Sequence, residues 1–161
     1  MNTQPFVPAD FEVPPVLETD RFRLRMLSVA DVEKDYEAVI ESRVLLRASG
    51  GTWPRDGFTL EENLADLQRH QQEFLEREAF AYTVVALDES RVLGCLYINP
   101  PHYTDADAEV YMWVRQSEHA HGLDAFLFQT VKEWMATAWP FATVAYPGRE
   151  QNSRKGAKAQ S

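Results

Sequence analysis

The chain has 161 residues, a formal net charge of −9 and a sequence pI of about 4.9; 45% hydrophobic and 12% aromatic content suits one domain with an ordinary core and excludes general disorder. The acidic balance argues against a nucleic-acid partner, because such binders concentrate positive charge on one face. No apolar run approaches the roughly 20 residues that span a bilayer, MNTQPFVPADFEVPP lacks the basic-then-apolar order of a secretory signal, and the lone Cys95 excludes an internal disulfide and a CxxC metal site. The expectation is a cytoplasmic protein with no membrane or nucleic-acid partner.

Residues 1–16 hold Pro5, Pro8, Pro14 and Pro15, which predicts an extended lead-in, pinned to the domain by Phe6, Phe11 and Val13. Residues 17–27, LETDRFRLRML, put Phe22, Leu24 and Met26 on one face and Arg21, Arg23 and Arg25 on the other. That period of two predicts a single half-buried strand with an exposed arginine row. Ser28 starts a helix with Asp31 placed as in a capping box, and Val32, Tyr36, Val39 and Ile40 follow at helical spacing. Gly50, Gly51, Pro54 and Gly57 make 48–58 a loop, with Trp53 either a wall of a ligand site or a tucked-in connector. Thr59 and Glu62 form a second capping box, ahead of the stripe Leu60, Leu64, Leu67, Gln71, Phe74 and Leu75.

Residues 80–87 and 91–99 read as a hairpin about Asp88, Glu89 and Ser90, and Gly94 inside the return strand predicts a bulge or a close backbone approach. Residues 107–115 predict a buried strand, and 123–138 a helix with Leu123, Phe126, Leu127, Val131, Trp134 and Met135 inward. Residues 141–146 predict a last strand. The order β–α–α–β–β–β–α–β gives an antiparallel meander over 82–115 and then a β–α–β crossover to a parallel strand. The fold class is α+β, a mixed, mostly antiparallel sheet with helices on both faces. Residues 17–148 form the domain, and 149–161 a basic tail, with Arg149, Arg154, Lys155 and Lys158 against Glu150. That tail reads as solvated chain, or as a docking arm for an acidic partner. The organising stretch is 107–135: strand, polar loop with one glycine, amphipathic helix, an arrangement in which loop and helix N–H groups converge on an anion.

These residues support a family resemblance. LETDRFRLRML, RVLGCLYI, AEVYMWV and WMATAWPFATVAYPGR resemble the first, third and fourth strands and the third-helix-to-fifth-strand passage of the GNAT (Gcn5-related N-acetyltransferase) fold, in its ribosomal-protein-acetyltransferase-like branch. The resemblance covers roughly residues 17–149. It implies an acetyl-CoA-dependent N-acetyltransferase acting on the amine of a small molecule or a protein N-terminus. The alternative is a catalytically inactive GNAT-fold binding or regulatory module. A third expectation is a structural homodimer, in which an open sheet edge pairs with a second copy.

The family's pyrophosphate loop, [Q/R]-x-x-G-x-[G/A], falls on His119, Ala120, His121, Gly122, Leu123 and Asp124. Gly122 matches; His119 replaces Arg or Gln, and Asp124 replaces the final small residue. A carboxylate there would compete for the helix N–H groups and repel a phosphate by about 1 kcal/mol or more, or else serve as a built-in anion for the helix end. Relatives usually continue past the fifth strand with another helix and two strands, whereas here PGREQNSRKGAKAQS follows Tyr146, so the fold is expected to be C-terminally shortened or completed by a partner chain.

In this family the thioester lies where the fourth and fifth strands splay, so the resemblance implies cofactor contacts from Met112, Trp113 and Val114. A backbone N–H there would polarise the carbonyl. Glu109 is the first candidate base, and Tyr111 or Tyr146 the candidate acid. His119 and His121 have His-x-His spacing that can chelate zinc, with no third ligand fixed by spacing. Cys95 reads as buried and inert.

Overall fold

The structure, a computed structural model, describes residues 4–48 and 51–149. These residues build one six-stranded sheet in sequential order: β1 (Val16–Glu18), β2 (Arg23–Met26), β3 (Phe80–Val85), β4 (Val92–Asn99), β5 (Ala108–Val114) and β6 (Val144–Ala145). Each strand is antiparallel to the next except β5 and β6, which run parallel. The α-helices are α1 (Val32–Glu41), α2 (Arg43–Arg47), α3 (Leu60–Leu75) and α4 (Leu123–Ala138). The expected α+β class and mixed, mostly antiparallel sheet are observed.

Each face of the sheet is covered. On one, Leu123, Leu127, Val131 and Trp134 of α4 meet Phe22, Leu24, Tyr82, Leu96 and Val110. On the other, Ala38 and Val39 of α1 and Leu67 of α3 meet Ala81, Val85, Cys95 and Trp113. The lead-in is bound to the first face. Val7 is buried there, Phe6 stacks between Phe80 and Phe141, and the Arg77 guanidinium donates to the carbonyls of Pro8 and Phe11.

Gly94 has the role its position predicts. A Cβ there would drive into the Trp113 carbonyl oxygen on β5, and the β3–β4 register shifts beside it, between Val84 and Val85. Thr59 and Glu62 complete the capping box of α3.

Several expectations are corrected. Residues 17–27 are not one strand. The Thr19 hydroxyl accepts from the Arg21 and Phe22 amides at 3.0 and 3.2 Å, and this local bonding turns the chain between β1 and β2. The arginine row is not simply exposed. Arg23 and Arg25 are half-buried, and Arg25 grips Asp31 and Glu89. Asp31 is thereby taken from the capping box, of which only the Ser28-to-Ala30 bond forms. Leu75, in the last turn of α3, is exposed rather than inward. The last strand shrinks from 141–146 to Val144–Ala145, because the Asp107 carboxylate accepts from the Ala142 and Thr143 amides and bends the chain. Of the tail expected over 149–161, only Arg149 lies among the described residues.

Candidate active site

The site is organised by β5. Arg115 N–H donates to Leu93 O on the β4 side. By alternation Met112 and Val114 turn their backbone groups to the opposite edge, toward β6. There β6 pairs only with Ala108 and Glu109, so no strand covers β5 from Val110 onward. The Trp113 backbone faces β4, as its approach to Gly94 shows.

After Val114 the chain makes a 3-10 turn over Gln116–His121, and Gly122 then adopts φ 74°, the left-handed conformation that glycine takes without strain. α4 starts at Leu123 with no side-chain cap. The turn is fastened to α1 from behind. Arg115, 4% exposed, pairs with Glu41, whose other oxygen accepts from the Ser117 amide, while Ser42 Oγ accepts from Gln116 N–H. The Arg115 bonds hold the Glu41 carboxyl down at about 2. His119 donates from Nε2 to Val114 O at 3.0 Å; a carbonyl only accepts, so the proton sits on Nε2.

Asp124 lies in the first turn of α4, as the expectation of a built-in anion for the helix end supposed. Its carboxylate makes a two-pronged ion pair with Arg149, at 2.9 and 3.0 Å. The same guanidinium donates to Met112 O at 3.1 Å and lies 5.1 Å from the Phe128 ring centre. Burial pushes the Asp124 carboxyl up, but the Arg149 bonds outweigh it and hold it below its usual range.

A cavity of about 850 Å³ opens in front of this edge. Met112, Trp113, Val114, His119 and Asp124 line it, as do Trp53, Tyr97, Tyr111 and Arg149. The other expected site residues lie elsewhere. Ala120, His121 and Gly122 are exposed on the turn, where His121 O accepts from Arg21, and Leu123 is buried in the core. Tyr146 packs edge-on against Phe128, and burial pushes its hydroxyl up to about 12. Glu109 is fully buried; one oxygen accepts from the Tyr103 and Thr104 amides at 2.8 Å, and the other from Tyr111 OH at 3.3 Å. Burial favours the neutral acid, but the amides of Tyr103, His102 and Thr104 prevail and hold the carboxyl below its usual range. Burial and the Glu109 charge push the Tyr111 hydroxyl up. Among the described residues no three His, Cys, Asp or Glu side chains converge as a metal site would require.

The cavity floor holds residues that pattern reading missed. Asp35, 3% exposed, accepts from Asn63 Nδ2 at 2.9 Å and Cys95 Sγ at 3.5 Å. Burial pushes its carboxyl up, against the pull of those two bonds. Tyr97 OH accepts from Trp113 Nε1 at 3.1 Å, and burial pushes its hydroxyl well up. His70 sits 5.2 Å from the Tyr97 ring, and burial lowers it to about 4. It is neutral near pH 7, so its 3.8 Å approach to Glu73 is no ion pair there. A signal for two of these was present. Asp35 interrupts the apolar stripe Val32, Tyr36, Val39, and Asn63 falls between Leu60 and Leu67 on the buried face of α3.

Solved structures share this architecture. A ribosomal-protein-S5-alanine acetyltransferase from Vibrio fischeri is similar at TM-score 0.62 and 16% identity, over 74% of this chain and 66% of that one. A ribosomal L7/L12 α-N-protein acetyltransferase in complex with coenzyme A is similar at TM-score 0.61 and 17% identity, over 75% and 67%. The microcin C7 self-immunity acetyltransferase, in complex with acetyl-CoA and AMP, is similar at TM-score 0.60 and 12% identity, over 79% and 71%. This chain thus spans about two thirds of the length of the first two. No protein-family model matches the sequence, and no curated protein matches it. The chain has the GNAT acetyltransferase fold.

Proposed function

We propose that the protein is an acetyl-CoA-dependent N-acetyltransferase acting on the amine of a small molecule or a peptide N-terminus. One observation carries this reading: β5 and β6 part after a two-residue pairing, and the gap leads from the uncapped start of α4 to the cavity. Such a gap suits the extended arm of coenzyme A, with its pyrophosphate against the first-turn amides of α4. The fold-sharing acetyltransferases solved with coenzyme A or acetyl-CoA support the choice of co-substrate.

Within this reading the residues divide their work. The Met112 and Val114 N–H groups face the gap and polarise the thioester carbonyl. Trp113, whose backbone serves the sheet, contributes its side chain to the cavity wall. His119, Ala120, His121, Gly122 and Leu123 shape the turn that presents the helix amides. Asp124 holds Arg149 as the cation of the phosphate end. Tyr111, which lines the cavity, takes the role of the acid that protonates the leaving thiolate, and Tyr146 packs in the core. Glu109, already accepting three hydrogen bonds, is a weak proton acceptor and acts by positioning Tyr111, and the proton that the ammonium loses before attack passes to solvent through the open cavity.

The second reading, a binding module without transferase activity, rests on Arg149 lying across the gap onto Met112 O. Release of free thiol from acetyl-CoA separates the two. Amine-dependent release above spontaneous hydrolysis, across a panel of primary amines and peptides, supports the transferase. Tight acetyl-CoA binding without release for any amine supports the module.

A further inference from the structure

The cavity floor carries chemistry that acetyl-CoA does not need. Asp35 pairs with no cation among the described residues; its partners are the neutral Asn63 amide and the Cys95 thiol. Two further carboxylates, Asp31 and Asp66, act on it and push it up, and Asp31 is itself paired with Arg25. Asp66 is itself engaged, by Trp53 Nε1 at 3.3 Å and Arg69 at 3.5 Å. A buried carboxyl without a countercharge is costly, and an incoming cation would offset that cost. Four aromatic side chains, Trp53, Tyr97, Tyr111 and Trp113, line the same cavity, which Arg69 and Arg149 also border. Aromatic faces attract organic cations and flat apolar bodies, and they reject hydrated anions.

We propose that the cavity binds a compact organic monocation, a primary ammonium on a flat apolar or aromatic body, and that Asp35 receives the ammonium group. This inference rests on the transferase reading and names its acceptor class. A carboxylate on the ligand disfavours binding, because it would face Asp35 and Asp66. An amine therefore binds better than the corresponding amino acid.

Calorimetric titration with phenethylamine, tyramine, phenylalanine and 2-phenylethanol tests the proposal on the full chain. Phenethylamine and tyramine bind the wild type, phenylalanine at least tenfold more weakly, and the uncharged alcohol at least tenfold more weakly. Asp35→Asn lowers phenethylamine affinity at least tenfold while leaving the far-ultraviolet circular dichroism unchanged. Equal affinity for the alcohol and the amine in the wild type overturns the proposal, whether or not the variant folds. So does an Asp35→Asn protein that binds phenethylamine as the wild type does, or no binding of either amine. Amine binding that depends on Asp35, in a protein that ignores acetyl-CoA, would sink the transferase reading alone. Acetyl-CoA binding without amine binding would sink the acceptor assignment alone.

Discussion

Asp124 and Arg149 form a two-pronged ion pair at the start of α4, and the guanidinium reaches on to the Met112 carbonyl of β5. The carboxylate that would repel a phosphate therefore comes with its own countercharge. The sequence shows the aspartate but not the partner, which lies 25 positions away beyond the helix and the last strand.

Removing either member of the pair shifts acetyl-CoA affinity in opposite directions. Arg149→Ala leaves the Asp124 charge bare beside the helix amides and weakens binding about tenfold, or ~1.4 kcal/mol. Asp124→Asn frees the guanidinium for phosphate and tightens binding by a similar factor. Tighter binding by Arg149→Ala would mean that the arginine blocks the gap.

Gly94→Ala is a test of the sheet. The added methyl meets the Trp113 carbonyl, a backbone atom that cannot swing aside. A loss of about 3 kcal/mol is expected in urea unfolding. A loss under about 0.5 kcal/mol, the ordinary size for a harmless substitution, would show that β4 and β5 are further apart.

Glu41 makes stability depend on acid. Its folded value of about 2 lies below the 4.5 of the free side chain, so its contribution is present above 4.5 and fades as pH falls toward 2. Glu41→Gln leaves Arg115 buried without its carboxylate and costs on the order of 2 kcal/mol at pH 7. The variant also loses part of the wild type's decline between pH 4.5 and 2. Parallel stability curves for the two proteins across that window would refute the role.

Tyr111→Phe lowers acetyl transfer about 100-fold with unchanged acetyl-CoA affinity, because the hydroxyl acts on the leaving group. Tyr146→Phe leaves the rate within about twofold, since its ring packs on Phe128 away from the cavity. The reverse pattern would return the acid role to Tyr146.

The frame of the fold was legible in local pattern. The capping box at Thr59, the hairpin about Asp88 to Ser90, the glycine approach at Gly94 and the strand–turn–helix over 107–135 each follow from residues close in sequence. Elements set by distant partners were not legible. Asp31 left its capping box for Arg25, and Asp107 bent the chain before β6 through the Ala142 and Thr143 amides. The site divides the same way. Met112, Trp113 and Val114 could be placed on one strand, whereas the edge that Met112 and Val114 share needed the β4 register, Asp124 needed Arg149, and Glu109 needed the Tyr103 and Thr104 amides. Asp35 and Asn63 were readable in principle, as polar residues on apolar helix faces.

The central claim is that the gap between β5 and β6 admits acetyl-CoA. Isothermal titration of the wild-type protein with acetyl-CoA tests it most directly. One site per chain with a micromolar Kd, weakened by Arg149→Ala, is expected. An absence of binding heat at several temperatures, with ligand at high micromolar concentration, would contradict it.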